Sequence, residues 1–169
     1  MKDNKQNSAQ EEIDKLHRIT QSLMLSTKNK KGGLKTSYSP YVFYNDCYYI
    51  LVSGLAPHSQ NLQINPDIGI LLIEDESSTK NIFARARLSY AATAFIVEKA
   101  SSEFTGVIGQ LKERCGKTVD VLVGLNDFNL FRLEPHEGRL VIGFGKAYLL
   151  NTKTREIIHV DKDVLNKQE

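Results

Sequence analysis

Arg85 and Arg87 stand two residues apart in a stretch that reads as a strand, so both guanidinium groups would project from one face, with Ser89 next along. Like charges so placed repel unless water or an anion lies between them. Guanidinium offers paired donors at the spacing of a phosphate or carboxylate, so the pair reads either as an anion clamp or as a solvated outer face. His58 opens a short helix after a proline-containing loop. It reads either as a ligand or acid–base group, or as a loop imidazole bonded to backbone. His17 falls on an amphipathic helix, His136 in a turn, and His159 in the tail beside Ile158 and Val160. A tail histidine can swing onto a bound metal, although most do nothing.

The other candidates are weaker. Gly143-Phe144-Gly145-Lys146 has the start of a phosphate loop without its second half or a following helix pattern, and reads as a tight bend with Phe144 in the core. Glu74, Asp75 and Glu76 read as a solvated turn at a strand end. The sequence has no Ser-x-x-Lys, His-Glu-x-x-His or nucleophile-elbow pattern. Any activity therefore has to come from a bound cofactor.

The elements that position these residues belong to one ordinary domain of 169 residues. Hydrophobic residues make up 41% and charged residues 25%, the balance of a soluble globular protein, and the net charge of +2 argues against nucleic-acid binding. Cys47 and Cys115 lie outside any Cys-x-x-Cys pattern, which fits a reducing compartment. With no signal-like or membrane-length apolar run, the expectation is a cytoplasmic protein without a membrane partner.

Ser8-Ala9-Gln10-Glu11 has capping-box form and predicts an amphipathic helix with Ile13, Leu16, Thr20 and Leu23 on its stripe. Strands are predicted over 23–27, 34–44 (dented at Pro40), 47–52, 68–74, 84–99, 128–133, 139–142 and 147–150. Helices are predicted over 59–65, from Phe104 to Cys115 and over 117–124. Short-spaced strands without a βαβ rhythm predict a mainly β fold, an antiparallel barrel with peripheral helices. The expected layout is an N-terminal helix over 1–22, a barrel over 23–150 and a tail over 151–169.

Six stretches in order carry a family likeness: Ser37-Tyr38-Ser39-Pro40-Tyr41-Val42, Asn65-Pro66, Ile73-Glu74-Asp75-Glu76, Phe83-Ala84-Arg85-Ala86-Arg87-Leu88, Asp127 to Leu133, and Gly143 to Tyr148. From Leu23 to about Tyr148 the chain resembles the pyridoxamine-phosphate-oxidase-like, FMN-binding split-barrel superfamily, and within it the bacterial HutZ/HugZ heme-utilisation proteins. The resemblance implies a split antiparallel β-barrel, a homodimer and ligand sites at the subunit interface. In the flavin-dependent members a Ser-Arg-Lys run holds the FMN phosphate just before a helix ending in Asn-Pro. Here that run falls on Ala56-Pro57-His58, so its phosphate-binding side chains are gone.

In the heme branch, Arg87 matches an arginine facing the heme pocket. Asp127 matches an aspartate that bonds the axial histidine across the dimer, and His58 matches a histidine of that branch. An arginine can balance propionate charge, and an aspartate accepting from a histidine N–H orients it and raises its basicity. The axial histidine of that branch follows a Val-His-Leu-like tail segment. Ile158-His159-Val160 matches the segment, but Val164 stands at the histidine position, which leaves His159 as the tail's candidate metal ligand. The expectation is a heme-binding protein of iron acquisition, oxygenase-like, drawing on an external electron donor. The alternatives are an FMN-dependent oxidoreductase, with Arg85, Arg87 and Lys80 on the phosphate, and a non-enzymatic heme-storage dimer.

Overall fold

The computed structural model describes residues 2–161, with side chains from residue 6 onward. In chain order the elements are α1 (Lys2–Ile19), β1 (Ser22–Lys28), β2 (Leu34–Pro40), β3 (Val42–Tyr44), β4 (Cys47–Ser53), α2 (Pro57–Ile64), β5 (Asp67–Ile73), β6 (Arg87–Ile96), α3 (Ser102–Cys115), α4 (Thr118–Val123), β7 (Phe128–Val141), β8 (Ala147–Asn151) and β9 (Glu156–His159). The strands make one sheet in the order β2-β1-β5-β6-β7-β4-β3, with β8 paired to β7 and β9 to β8. The β1–β2, β3–β4, β4–β7, β7–β8 and β8–β9 ladders are all antiparallel. The predicted mainly β class therefore holds. Two compact units result. The first gathers the described residues up to Thr20, Leu71–Tyr90 and those from His136 on; the second holds Gln21–Ile70 and Ala91–Pro135.

In the first unit, α1 buries Ala9, Ile13 and Leu16 on one stripe. It ends where Thr20 turns both its N–H (3.0 Å) and its hydroxyl (2.7 Å) onto the Leu16 carbonyl. The helix starts earlier than the capping box predicts, and Ser8 lies inside it. The preceding turn is anchored by a tertiary bond, because the Gln6 amide donates to the Ile157 carbonyl at 3.2 Å. Ile157 belongs to β9, a strand the sequence reading left inside a polar tail. Gly138 of β7 lets the Tyr90 ring lie against its backbone, and burial pushes the Tyr90 phenol up to about 12.

In the second unit, the predicted strand over 34–44 is two strands. β2 ends at Pro40 on the β1 ladder, and β3 begins at Val42 on the β4 ladder. Proline cannot donate to a ladder, so it sits where the chain changes partner. The same logic corrects β7, which the sequence split at a Glu134–Gly138 turn. It runs unbroken beside β6, while on its other edge the pairing passes from β4, up to Leu133, to β8, from Glu137, and Pro135 falls in the gap. The predicted turn Asn45-Asp46 is present, with both residues at positive φ as a tight hairpin requires. At the β1–β2 turn, the Asn29 side chain accepts from the N–H groups of Lys31 and Gly33, each at 2.9 Å. Asn65, just after α2, donates to the carbonyls of Lys28 and Asn29, each at 3.1 Å. Asn61 of α2 donates to the buried Thr27 hydroxyl at 3.0 Å.

α3 packs Phe104, Val107, Ile108 and Leu111 into a core with Val42, Tyr49 and Leu130. Its first turn is tied down by charge: Glu103 accepts from the Tyr49 hydroxyl (2.8 Å) and from the Arg132 guanidinium (3.0 Å). Arg132 also donates to Glu134 and lies over the Phe95 ring. Burial by itself would raise the Glu103 carboxyl, but the Arg132 and Tyr49 bonds outweigh it and hold it below its usual value of 4.5. A depressed carboxyl contributes stability that is fully present above the unfolded value and is lost as pH falls through the folded one. Glu103→Gln should cost about 1 kcal/mol near neutrality, the pair being a third exposed. It should also flatten the fall in melting temperature below pH 4.5, which thermal melts across pH will show.

Candidate functional site

Arg85, Arg87 and His159 belong to the first unit, His58 and Asp127 to the second. The Asn81 side chain accepts from the Phe83 N–H and starts a 3-10 turn over Ile82–Ala84, so the strand begins only at Arg87. This corrects the reading of Arg85 and Arg87 as neighbours on one strand face. Arg85 is committed internally: Nε donates to the Glu74 carbonyl and Nη1 pairs with Glu76 Oε1 at 2.9 Å. Its side chain is only 17% exposed, whereas that of Glu76 is 72% exposed, so the ion pair adds about 1 kcal/mol at most and the carbonyl bond does most of the holding. Arg87 donates one N–H to the Arg85 carbonyl at 3.0 Å and keeps its other donors. Opposite charges at the two ends of the 74–85 loop were the available signal for the Arg85 pairing. The reading of Glu74 to Glu76 as a solvated turn holds for the exposed Asp75 and Glu76, whereas Glu74 is half-buried.

His159 ends β9 opposite Tyr148. The two rings meet edge to face, 5.2 Å between centroids, and His159 Nε2 lies 2.9 Å from the Gly145 carbonyl. A carbonyl only accepts, so in this contact Nε2 is the donor and carries a proton. Gly143 and Gly145 both have positive φ, as expected of a tight bend, but Phe144 between them is exposed, which corrects its placement in the core. Val164 lies outside the described residues.

In the second unit, Asp127 precedes β7 and is held from both ends of its residue. Its Oδ2 accepts from the Ser53 hydroxyl at 2.6 Å, and its carbonyl accepts the Gly54 N–H at 2.6 Å. A Cβ on Gly54 would stand 2.9 Å from that carbonyl oxygen, so the close approach requires glycine. Oδ1 is left without a hydrogen bond among the described residues. The sequence reading missed Ser53 and Gly54 because 74 residues separate Ser53 from its partner. His58 follows Pro57, the first residue of α2, whose N-cap Ala56 offers no side-chain bond. His58 Nε2 is buried with no partner among the described residues, and burial lowers the imidazole below its usual value, which favours the neutral ring. The first turn of α2 carries no lysine or arginine.

Comparison with known proteins places this geometry in a family. The family model for pyridoxamine 5'-phosphate oxidase matches residues 9–142. The heme oxygenase HutZ of Vibrio cholerae is 42% identical over 137 residues, which cover 81% of this chain and 78% of that protein. The crystal structure of HutZ, described as a heme storage protein, superposes with a TM-score of 0.73 at 40% identity, covering 78% of this chain and 92% of that one. Campylobacter jejuni ChuZ superposes with a TM-score of 0.83 at 29% identity, covering 91% of this chain and 63% of the ChuZ chain. The chain shares with these proteins a mainly β, split-barrel fold. It belongs to the pyridoxamine 5'-phosphate oxidase family, as a relative of HutZ.

Proposed function

We propose that this protein binds heme for heme utilisation and acts in heme degradation as an oxygenase. The observation that carries the reading is the identity to HutZ across four-fifths of the chain. The residues present suit a heme. Arg87 keeps donors for a propionate, Asp127 keeps one carboxylate oxygen for an imidazole N–H, and His58 offers a neutral, buried, unpartnered ring nitrogen. His159 fits less directly, because its Nε2 is occupied by the Gly145 carbonyl and only Nδ1 is open for iron without breaking that bond. When bound, heme iron supplies the redox chemistry, with electrons from an external donor. The chain's own residues bind and orient. Arg87 neutralises carboxylate charge, and the Ser53 bond fixes the Asp127 carboxylate so that its free oxygen can set the orientation of an imidazole.

We infer a homodimer with the site completed across subunits, and a cytoplasmic location. Among the described residues no helix is long and apolar enough to cross a membrane. The second reading, an FMN oxidoreductase, has the family match in its favour. Against it stands the first turn of α2, where Ala56, Pro57 and a neutral His58 offer a phosphate no charged donor. Hemin titration of the purified protein tests the proposal. A saturable shift of the Soret band is expected, and its absence overturns the reading. Yellow protein that retains FMN favours the second reading. Turnover with ascorbate or a reductase separates an oxygenase from a storage protein.

A further inference from the structure

The first unit carries a cleft of about 430 Å³ that uses none of the residues assigned to heme. Small-molecule sites run from about 300 to about 1,000 Å³, so the size suits a metabolite. Its apolar lining is Ala84, Ala86 and Ile142, enough for a short carbon skeleton.

The polar lining is charged in both senses. Two carboxylates contribute, each half-satisfied: Glu12 Oε2 pairs with Lys15 at 3.2 Å, and Glu74 Oε2 accepts from the Thr79 hydroxyl at 2.7 Å. Each keeps its second oxygen. The donors cluster on one short stretch of chain. The side chains of Ser78 and Lys80 have no partner among the described residues, and Asn81, whose oxygen accepts from the Phe83 N–H, keeps its amide N–H groups. These groups sit on a fixed frame. Arg85 holds the Glu74 carbonyl, Asp75 accepts from the Ser77 N–H at 2.8 Å, and Asn81 starts the next turn. A frame set before binding lowers the ordering cost of a ligand.

Charge decides the ligand class. A simple phosphate or carboxylate would meet Glu12 and Glu74, and a simple amine would meet Lys15 and Lys80. A molecule bearing both charges satisfies both sets. We propose that this cleft binds a small zwitterion, its carboxylate toward Lys80 and its ammonium toward Glu74. The assignment is independent of the heme proposal.

Nuclear magnetic resonance titration of the full chain with 5-aminopentanoate tests it, with pentanoate, pentylamine and inorganic phosphate as controls. Saturable shifts at the amides of Ser78, Thr79, Lys80 and Asn81 are expected at millimolar zwitterion, with each control weaker by about tenfold. Lys80→Met keeps the aliphatic stem, and Glu74→Gln keeps an acceptor for Thr79. Each should weaken binding by about tenfold with the melting temperature unchanged. No saturation, equal binding of pentanoate or phosphate, or shifts that ignore both substitutions would overturn the proposal.

Discussion

Gly138→Ala will cost about 3 kcal/mol of folding stability, and a larger side chain at the same position will prevent folding. A Cβ there would enter the van der Waals envelope of Tyr90 Cδ1 and Cε1 and stand 2.9 Å from the Ser89 carbonyl oxygen. The ring cannot yield cheaply because the atoms met, Cδ1 and Cε1, belong to a rigid aromatic plane that has to move as one body. The backbone cannot yield cheaply either, since Gly138 pairs with Leu150 in the β7–β8 ladder. Denaturant unfolding will read the loss as a lower midpoint at constant slope. Tyr90→Leu in the same chain should recover part of it, because the smaller side chain vacates the clash, and the coupling between the two substitutions isolates the contact. An unchanged midpoint for Gly138→Ala alone would mean that the ring moves aside freely.

Arg87→Ala will weaken hemin binding by about ten- to a hundredfold, the loss expected of one or two charge-assisted bonds. Arg85→Ala will change hemin affinity far less. The difference follows from where each guanidinium spends its donors. Arg85 gives them to the Glu74 carbonyl and to Glu76, inside its own loop. Arg87 spends one on the Arg85 carbonyl and has the rest for a ligand. Arg85→Ala should instead loosen the 74–85 loop, seen as faster amide exchange there. Soret titrations of both variants decide the matter, and equal losses would remove the distinction between them.

The strands were readable from short runs bounded by turn residues, as in Leu23 to Thr27 before the Lys28 to Gly33 turn, although the burial alternation of β1, with Met24 outward and Thr27 inward, is not written in its residue types. α3 was readable from its helical period, with Ser101 capping it and Gly116 ending it. The features that escaped depend on partners far along the chain. Pro40 and Pro135 look alike as interruptions, yet one separates two strands and the other sits within one, and only the pairing of their neighbours distinguishes them. β9 is a short strand of four residues whose order comes from β8 and from Gln6. For the site, the residue types were legible and their engagement was not. The acidic residues near Arg85 were in view, but residue types alone do not show that the Glu74 carbonyl and the Glu76 carboxylate would occupy it. Nothing local to Asp127 announces Ser53, and the Gly145 carbonyl that holds His159 belongs to a bend 14 residues away.

The turn after β1 looks, from its Lys-Gly-Gly composition, like a natural place to graft a peptide tag or a fluorophore. Its bonding says otherwise. Asn29 gathers the N–H groups of Lys31 and Gly33, and Asn65 holds the carbonyls of Lys28 and Asn29 from the far end of α2. An insertion there would pull on α2, whose first turn carries His58, so a label would disturb the helix it was meant to watch. The bend at 152–155, between β8 and β9, shares the drawback: Asn151 gathers the N–H groups of Lys153 and Thr154, each at 3.0 Å, and the strand that follows carries His159.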